Sequence, residues 1–182
     1  MATVMLRAGI LLGLAAWLGG TGGAQAPTDY QVKAAYLSNL GRFVDWPSSA
    51  PVVEGQPFNV CVLGEDPFGA SLDAALAGEN IGRAPLAAKR IASPRAAAGC
   101  RIVFVSSSVE GQLKTALAAL EPSGALTVSD IPQFARRGGM IELVLVLNKV
   151  RFEINLAPVE RAHLSLSSDL LKLAVAVRRA PR

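Results

Sequence analysis

The stretch FNVCVLGEDPFG, residues 58–69, decides the fold of this chain. Phe58–Leu63 is a short and mostly apolar run, which is typical of a strand buried on both faces of a sheet. A turn follows, and Asp66 with the proline after it combines a helix N-cap with the residue favoured at the first helical position. The stretch therefore predicts a strand, a turn and a helix that runs to Gly78, which is one αβ unit.

The same alternation of strands and helices continues along the chain. It predicts a weak strand at Leu86–Ile91, a strong strand at Arg101–Ser106, an amphipathic helix at Val109–Leu120 and a short strand at Leu126–Val128. Upstream, Thr28 and Gln31 have the spacing of a capping box, which predicts a helix that ends at Trp46 and the proline after it.

The C-terminal part of the chain predicts a hairpin and a helix. Met140–Leu147 is rich in β-formers, a turn follows, and Val150–Leu156 alternates strictly between apolar and polar residues. Ser165–Val177 carries an apolar stripe at helical spacing. We therefore predict an α/β fold: a single layered domain with a mixed sheet of about six strands, helices on both faces, and a β-hairpin and C-terminal helix at its end.

The N-terminal segment has the parts of a secretory signal peptide. A short basic region precedes the apolar run Ala8–Leu18, and small residues follow. The apolar run is about half of the roughly 20 residues that a spanning helix needs, so we expect cleavage and export; retention as a membrane anchor is the alternative. We predict a signal peptide of residues 1–24, with cleavage after Ala24 or Ala26, and a periplasmic domain of residues 25–182 that does not insert directly into the membrane after cleavage.

The composition places the chain among globular proteins. Hydrophobic residues make up 51% and charged residues 18%, which excludes a disordered or collagen-like chain. The formal net charge is +4, but no run of five or six like charges occurs and the basic residues of the C-terminal part are spread out. Because they form no phosphate-binding stripe, we expect no nucleic-acid partner.

The chain has two cysteines, Cys61 and Cys100. An exported protein folds where disulfides persist, so we predict one bridge between them; two separately buried free thiols are the alternative. The two residues are too far apart in sequence for a Cys-x-x-Cys redox motif, and without clustered histidines we expect no zinc or other metal site.

Few residues of the sequence could support catalysis. His163 is the single histidine, and a hydrolase would need it beside a serine or a carboxylate. Ser106–Ser108 lies where a strand meets a helix, but the nucleophile-elbow motif is absent and helix capping explains these serines. Gly64–Gly69 has the position of a phosphate loop, yet it contains two carboxylates and no lysine follows it. We therefore predict no catalytic residue, no cofactor and no enzymatic activity, with an exported hydrolase as the rival interpretation.

The polar side of the last predicted strand is the candidate binding surface. Arg151, Glu153 and Asn155 project from one face of that strand, where they could line a pocket or dock a partner. An ordinary solvated sheet face is the alternative, and the alternation alone does not favour either.

A series of motifs covers nearly all of the chain after the predicted leader. They are Tyr30–Leu37 with Phe43–Pro47, Val60–Gly64 with Asp66–Gly69, Cys100–Ser106, Leu126–Asp130 with Phe134–Ala135 and Gly138–Ile141, Val150–Asn155, and Ser167–Leu171. In their order and spacing they resemble the YfiR family of bacterial periplasmic regulators. The resemblance extends from Tyr30 to about Val177, and its specificity lies in the series as a whole.

The resemblance implies a non-enzymatic protein, often a homodimer, that binds the periplasmic sensor domain of an inner-membrane diguanylate cyclase and holds that enzyme inactive. Such a repressor would lower cyclic-di-GMP and restrain biofilm formation. The resemblance also implies a disulfide at Cys61 and Cys100. Some members carry a second cysteine pair in the segment equivalent to Phe134–Leu143; this chain lacks it, so redox control through that pair does not carry over.

A periplasmic small-molecule-binding protein is the alternative function. It would need a concave site, for which Arg151 and Asn155 are the candidates. Saturable binding of a metabolite without any protein partner would distinguish it from a repressor.

Overall fold

The computed structural model describes residues 28–47 and 54–179. The predicted signal peptide and both of its cleavage positions lie outside these residues. The elements, in chain order, are α1 (Asp29–Leu40), β1 (Val44–Asp45), β2 (Phe58–Leu63), α2 (Ala70–Leu76), β3 (Asn80–Ile81), β4 (Ala84–Ile91), β5 (Cys100–Val105), α3 (Leu113–Leu120), β6 (Leu126–Ser129), β7 (Ile141–Val146), β8 (Lys149–Asn155), α4 (Leu156–Arg161), β9 (Ser165–Leu166), α5 (Ser168–Leu173) and β10 (Ala176–Arg178).

The central sheet has eight strands in the order β10-β8-β7-β6-β5-β2-β4-β3. Strands β4, β2, β5, β6 and β7 run parallel to one another, and β8 returns antiparallel to β7 as the predicted hairpin. This arrangement confirms the predicted α/β fold with a mixed sheet. The sheet is wider than predicted because β3 and β10 add two edge strands that are too short to show a sequence period.

The sheet is covered on both faces, as predicted. On one face α1 and α2 pack against a large core cluster that includes Val60, Val62 and Phe104. On the other face α3 packs against a second cluster that includes Cys61 and Val103. Every residue of β2 is buried, which is why its sequence is mostly apolar and does not alternate.

Helix α1 begins at the predicted capping box. The Thr28 side chain accepts a hydrogen bond from the backbone N–H of Gln31, and the Gln31 side chain accepts one from the backbone N–H of Thr28. The helix ends earlier than predicted, at Leu40. After one 3-10 turn, Val44 and Asp45 pair with β9 in a separate two-stranded sheet, and this long-range pairing is invisible to a helical pattern.

Three further helix predictions were wrong in their bounds. The helix predicted from Val109 begins at Leu113, because the residues before it form a 3-10 helix, Ser107–Gln112. Asp66 does not cap α2, which has Gly69 at its N-cap; the Asp66 carboxylate instead accepts hydrogen bonds from the backbone of Phe68 and from the side chain of Arg90. The predicted C-terminal helix over 165–177 is interrupted. It forms a helix only at α5, and the chain then becomes β10. Pairing with β8 satisfies the backbone groups on the outer edge of that strand, which a longer helix would leave without a strand partner.

The structure joins Cys61 and Cys100 in the disulfide that the sequence predicts, with 5.9 Å between their Cα atoms. Cys61 lies on β2 and Cys100 on β5, which are neighbouring parallel strands. Both residues are buried in the core cluster beneath α3. The bridge therefore links two neighbouring interior strands of the sheet covalently.

Candidate partner-binding surface

Strand β8 presents the candidate residues Arg151, Glu153 and Asn155 on one face of the sheet. Their neighbours Val150, Phe152 and Ile154 are buried on the other face, as the alternating sequence predicts. The core cluster beneath α3 contains residues from β2, β4 and β5 but none from β7 or β8. On this part of the face Arg151 is exposed and Glu153 is half-buried, and we call it the open end of the sheet.

Arg151 is the candidate residue with the most freedom to bind a partner. It is exposed, it lies opposite Val144 across the hairpin, and no described residue forms an ion pair or a hydrogen bond with its guanidinium. A partner could therefore engage this cation without breaking an existing contact.

Glu153 is part of an ion pair with a residue that the sequence did not single out for the site. Its carboxylate lies 2.8 Å from Arg178 on β10, and both side chains are about a quarter to a third exposed, at 23% and 32%. Glu153 also lies directly opposite Glu142 on β7. Two facing carboxylates repel each other, and Arg178 offsets this repulsion from one side.

Glu142 and Asn155 hold the segment 131–138 against the sheet. The buried Glu142 carboxylate accepts hydrogen bonds from the backbone N–H groups of Gln133 and Ala135, at 2.9 and 3.1 Å. The Asn155 side chain donates to the backbone carbonyl of Ala135 at 2.8 Å and caps α4 by accepting from Ala157. Asn155 thus supports the surface, whereas Arg151 and the Glu153–Arg178 pair face outward.

The loops at the carboxyl ends of β2 and β5 contact each other closely. In open α/β sheets this position, where the connections diverge to opposite faces, commonly binds a ligand. Here the Ser108 hydroxyl accepts a hydrogen bond from the Glu65 backbone at 2.9 Å, and a Cβ on Gly64 would lie only 2.5 Å from the same oxygen. Ser108 therefore links the two loops by this hydrogen bond. Ser106 caps the turn that follows β5, as predicted.

His163 lies on the surface after α4 and has a positive φ of 56°. Its imidazole forms no hydrogen bond with any described serine or carboxylate. Among the described residues, no group of histidine, cysteine and carboxylate side chains could hold a metal ion. In the same part of the chain, no helix has the length and apolar character needed to cross a membrane.

A buried charge cluster, which the sequence did not reveal, fastens α1 to the sheet. The Lys33 ammonium lies 2.6 Å from the carboxylate of Asp130, just after β6, and 4.3 Å from the centre of the Tyr30 ring. The Tyr30 hydroxyl donates to the same carboxylate at 3.0 Å. Burial, followed by the negative charge of Asp130, raises the pKa of Tyr30 to about 12.

A cavity of about 230 Å³ lies between α3 and α4. Lys114, Arg137 and Arg161 contribute cations to its lining, and Leu117 and Met140 contribute apolar surface. Arg137 and Arg161 are paired with carboxylates, whereas Lys114 has no partner among the described residues. Neither Arg151 nor Asn155 lines this cavity.

A family model described as YfiR/HmsC-like matches residues 30–175. No curated protein is similar enough in sequence to count as a relative. Among solved structures, a conserved domain protein from Vibrio cholerae is similar at 9% identity with a TM-score of 0.57, over 83% of this chain and 60% of that one. The ABC domain in complex with L-Trp from Streptococcus pneumoniae is similar at 11% identity with a TM-score of 0.52, over 81% of this chain and 60% of that one. The chain thus spans 60% of each solved chain, and these likenesses show the fold alone.

Proposed function

This chain belongs to the YfiR/HmsC-like family, and we propose that it binds the periplasmic sensor domain of an inner-membrane diguanylate cyclase and holds that enzyme inactive. Members of the family are periplasmic regulators rather than catalysts. The observation that carries the proposal is the match over residues 30–175, which includes almost the whole described fold. The consequence is lower cyclic-di-GMP and less biofilm.

The proposal includes export through a signal peptide of residues 1–24, cleaved after Ala24 or Ala26, which leaves residues 25–182 as the periplasmic domain. The Cys61–Cys100 bridge supports this location, because disulfides of this kind persist in oxidising compartments. The cyclase would carry out the chemistry, and this chain would need neither cofactor nor catalytic group.

We place the partner-binding surface on the open end of the sheet. Arg151 offers a free cation there, and the Glu153–Arg178 pair offers charges of both signs. Asn155 supports this surface by holding the segment 131–138 through a hydrogen bond to the Ala135 carbonyl. A half-exposed polar surface of this kind favours specificity, because only a partner with matching charges avoids leaving one of these groups unpaired.

Repression requires a difference in affinity between two states of the cyclase. A binding protein shifts the equilibrium between the active and inactive states of its partner only to the extent that it binds the inactive state more tightly. Each 1.4 kcal/mol of preference is worth about tenfold in the equilibrium, so effective silencing needs several times that amount. Dimerisation of this chain, which we also propose, would contribute by engaging two cyclase subunits together.

Reversing the charge of Arg151 tests the placement of the surface. Arg151→Glu should weaken binding to the detergent-solubilised, full-length cyclase by about tenfold or more, because it adds a third carboxylate beside Glu142 and Glu153. Thermal unfolding should be almost unchanged, since Arg151 is exposed and unpaired.

Lys89→Glu is the matched control. Lys89 is also exposed and free of ion pairs with described residues, and it lies near the other edge of the same sheet, on β4. Equal affinities of the Arg151→Glu protein and the wild type, or an equal loss in the Lys89→Glu protein, would exclude this end of the sheet as the binding surface.

The alternative function, small-molecule binding, is supported by the cavity between α3 and α4. Its lining combines apolar surface with three cations, one of them the unpaired Lys114, and one carboxylate, that of Glu121. The excess of positive charge would suit a small anionic compound. Calorimetric titration of the purified protein with anionic metabolites decides between the two functions. Saturable binding that Lys114→Ala abolishes, with no cyclase recovered from membranes, would favour the alternative.

A further inference from the structure

The tip of the β7–β8 hairpin exposes consecutive apolar side chains. Leu145, Val146 and Leu147 are 53%, 41% and 93% exposed, and Leu147 is the most exposed large apolar residue of the described chain. Single exposed apolar residues are common on proteins, but a contiguous set at a protruding turn marks a contact surface.

The turn itself does not require leucine. Leu147 and Asn148 have φ angles of 49° and 59°, in the left-handed region. Asparagine and glycine favour this region, and a two-residue hairpin turn normally uses them at both positions. Leu147 therefore strains the backbone and exposes apolar surface at once, which points to a role outside the folding of the hairpin.

The flanks of the tip are basic. Lys149 and Arg151 are exposed, and neither forms an ion pair with a described residue. The carboxylates nearest in register are already engaged, Glu142 by backbone N–H groups and Glu153 by Arg178. The hairpin tip thus combines a protruding apolar end with uncompensated positive charge.

We propose that the hairpin tip, Leu145–Leu147 with Lys149 and Arg151, docks on an anionic phospholipid surface. A convex apolar tip needs no matching concave pocket in lipid, because acyl chains deform around it, and the two cations then lie at the level of the phosphate groups. The contact is peripheral and involves no spanning segment. It would hold the open end of the sheet close to the membrane, where the proposed partner resides. The lipid contact and the proposed partner surface share Arg151, and vesicle binding is measured without any partner, so the two proposals fail separately.

Co-sedimentation with vesicles tests the proposal. The purified protein should bind vesicles of phosphatidylcholine and phosphatidylglycerol at 3:1 and should release them in 0.5 M NaCl. It should bind pure phosphatidylcholine at least tenfold more weakly, since each cation contributes about fivefold on an anionic surface and two cations act here. Leu147→Asn should lower the partition coefficient on the anionic vesicles by about tenfold, because a leucine side chain is lost from the interface. The same substitution should leave the unfolding temperature unchanged or higher, because asparagine tolerates the positive φ.

Leu173→Asn is the matched control, since Leu173 is also well exposed, at 63%, but lies on α5. It should retain wild-type vesicle binding. The proposal is overturned if the wild type ignores anionic vesicles, if it binds neutral vesicles equally well, or if Leu147→Asn binds as the wild type does. Loss of vesicle binding in the Leu173→Asn protein alone would overturn it as well and would assign the lipid contact to α5.

Discussion

Replacing Cys61 and Cys100 together with alanine should lower the free energy of unfolding by about 4 kcal/mol. The bridge closes a loop with a sequence separation of 39 and so restricts the unfolded chain. A domain of this kind has a total stability of about 5–15 kcal/mol, so the loss would be a large share of it. Urea unfolding followed by circular dichroism measures the change. A loss of repression in cells carrying this variant would then be caused first by poor folding.

Two comparisons isolate the contribution of the bridge. The wild type unfolded by urea in the presence of a reducing agent should have the same free energy of unfolding as the double variant. Both lack the crosslink but keep a small side chain in each buried position. Either single cysteine variant is a poorer reference, because its remaining thiol can form a disulfide with a second molecule under oxidising conditions. A difference below about 1 kcal/mol between the oxidised wild type and the double variant would mean that the crosslink is not a principal source of stability.

Replacing Asp130 with asparagine should cost about 3–5 kcal/mol of stability, because it leaves the Lys33 ammonium buried without its counter-charge. The two side chains are only 10% and 12% exposed. The same substitution should lower the pKa of Tyr30 from about 12, since the carboxylate that repels the phenolate is removed. Urea unfolding and an ultraviolet titration of the tyrosines give the two readouts.

Glu121→Gln is the control for this prediction. Glu121 and Arg161 form an ion pair with side chains 57% and 58% exposed, so its loss should cost less than about 1 kcal/mol. Lys33→Met combined with Asp130→Leu should recover most of the stability, because no charge is then buried unpaired. If Asp130→Asn and Glu121→Gln have equal effects, the cluster does not fasten α1 to the sheet.

Local patterns explain which parts of the fold were predictable. The mostly apolar run of β2, the alternation of β8 and the capping box at Thr28 each depend on residues close together in sequence, and all three predictions are confirmed. The edge strand β10 was not predicted, because it forms only by pairing with β8. In this pairing Ala176 lies opposite Glu153, which is more than twenty residues earlier in the sequence. The Lys33–Asp130 pair joins residues 97 apart, and no local pattern indicates it.

The candidate surface was only partly predictable for the same reason. Alternation places Arg151 and Glu153 on one face, but it does not tell which of them already has a partner. The sequence predicts a helix up to Val177 and therefore no strand pairing for Arg178, so its ion pair with Glu153 could not be predicted. Asn155 has the same position in the alternation as Arg151, yet it caps α4 and holds the backbone of Ala135. Side chains equivalent in pattern thus differ in function because of contacts made by distant segments.

The repression of a cyclase is tested most directly by measuring cellular cyclic-di-GMP in three strains by mass spectrometry. They are the wild type, a strain lacking this chain, and a strain lacking both this chain and the cyclase that co-purifies with it from membranes. Cyclic-di-GMP should rise in the single deletion and return to the wild-type level or below it in the double deletion. An equal rise in the single and double deletions would contradict repression of that cyclase and would favour the small-molecule-binding alternative.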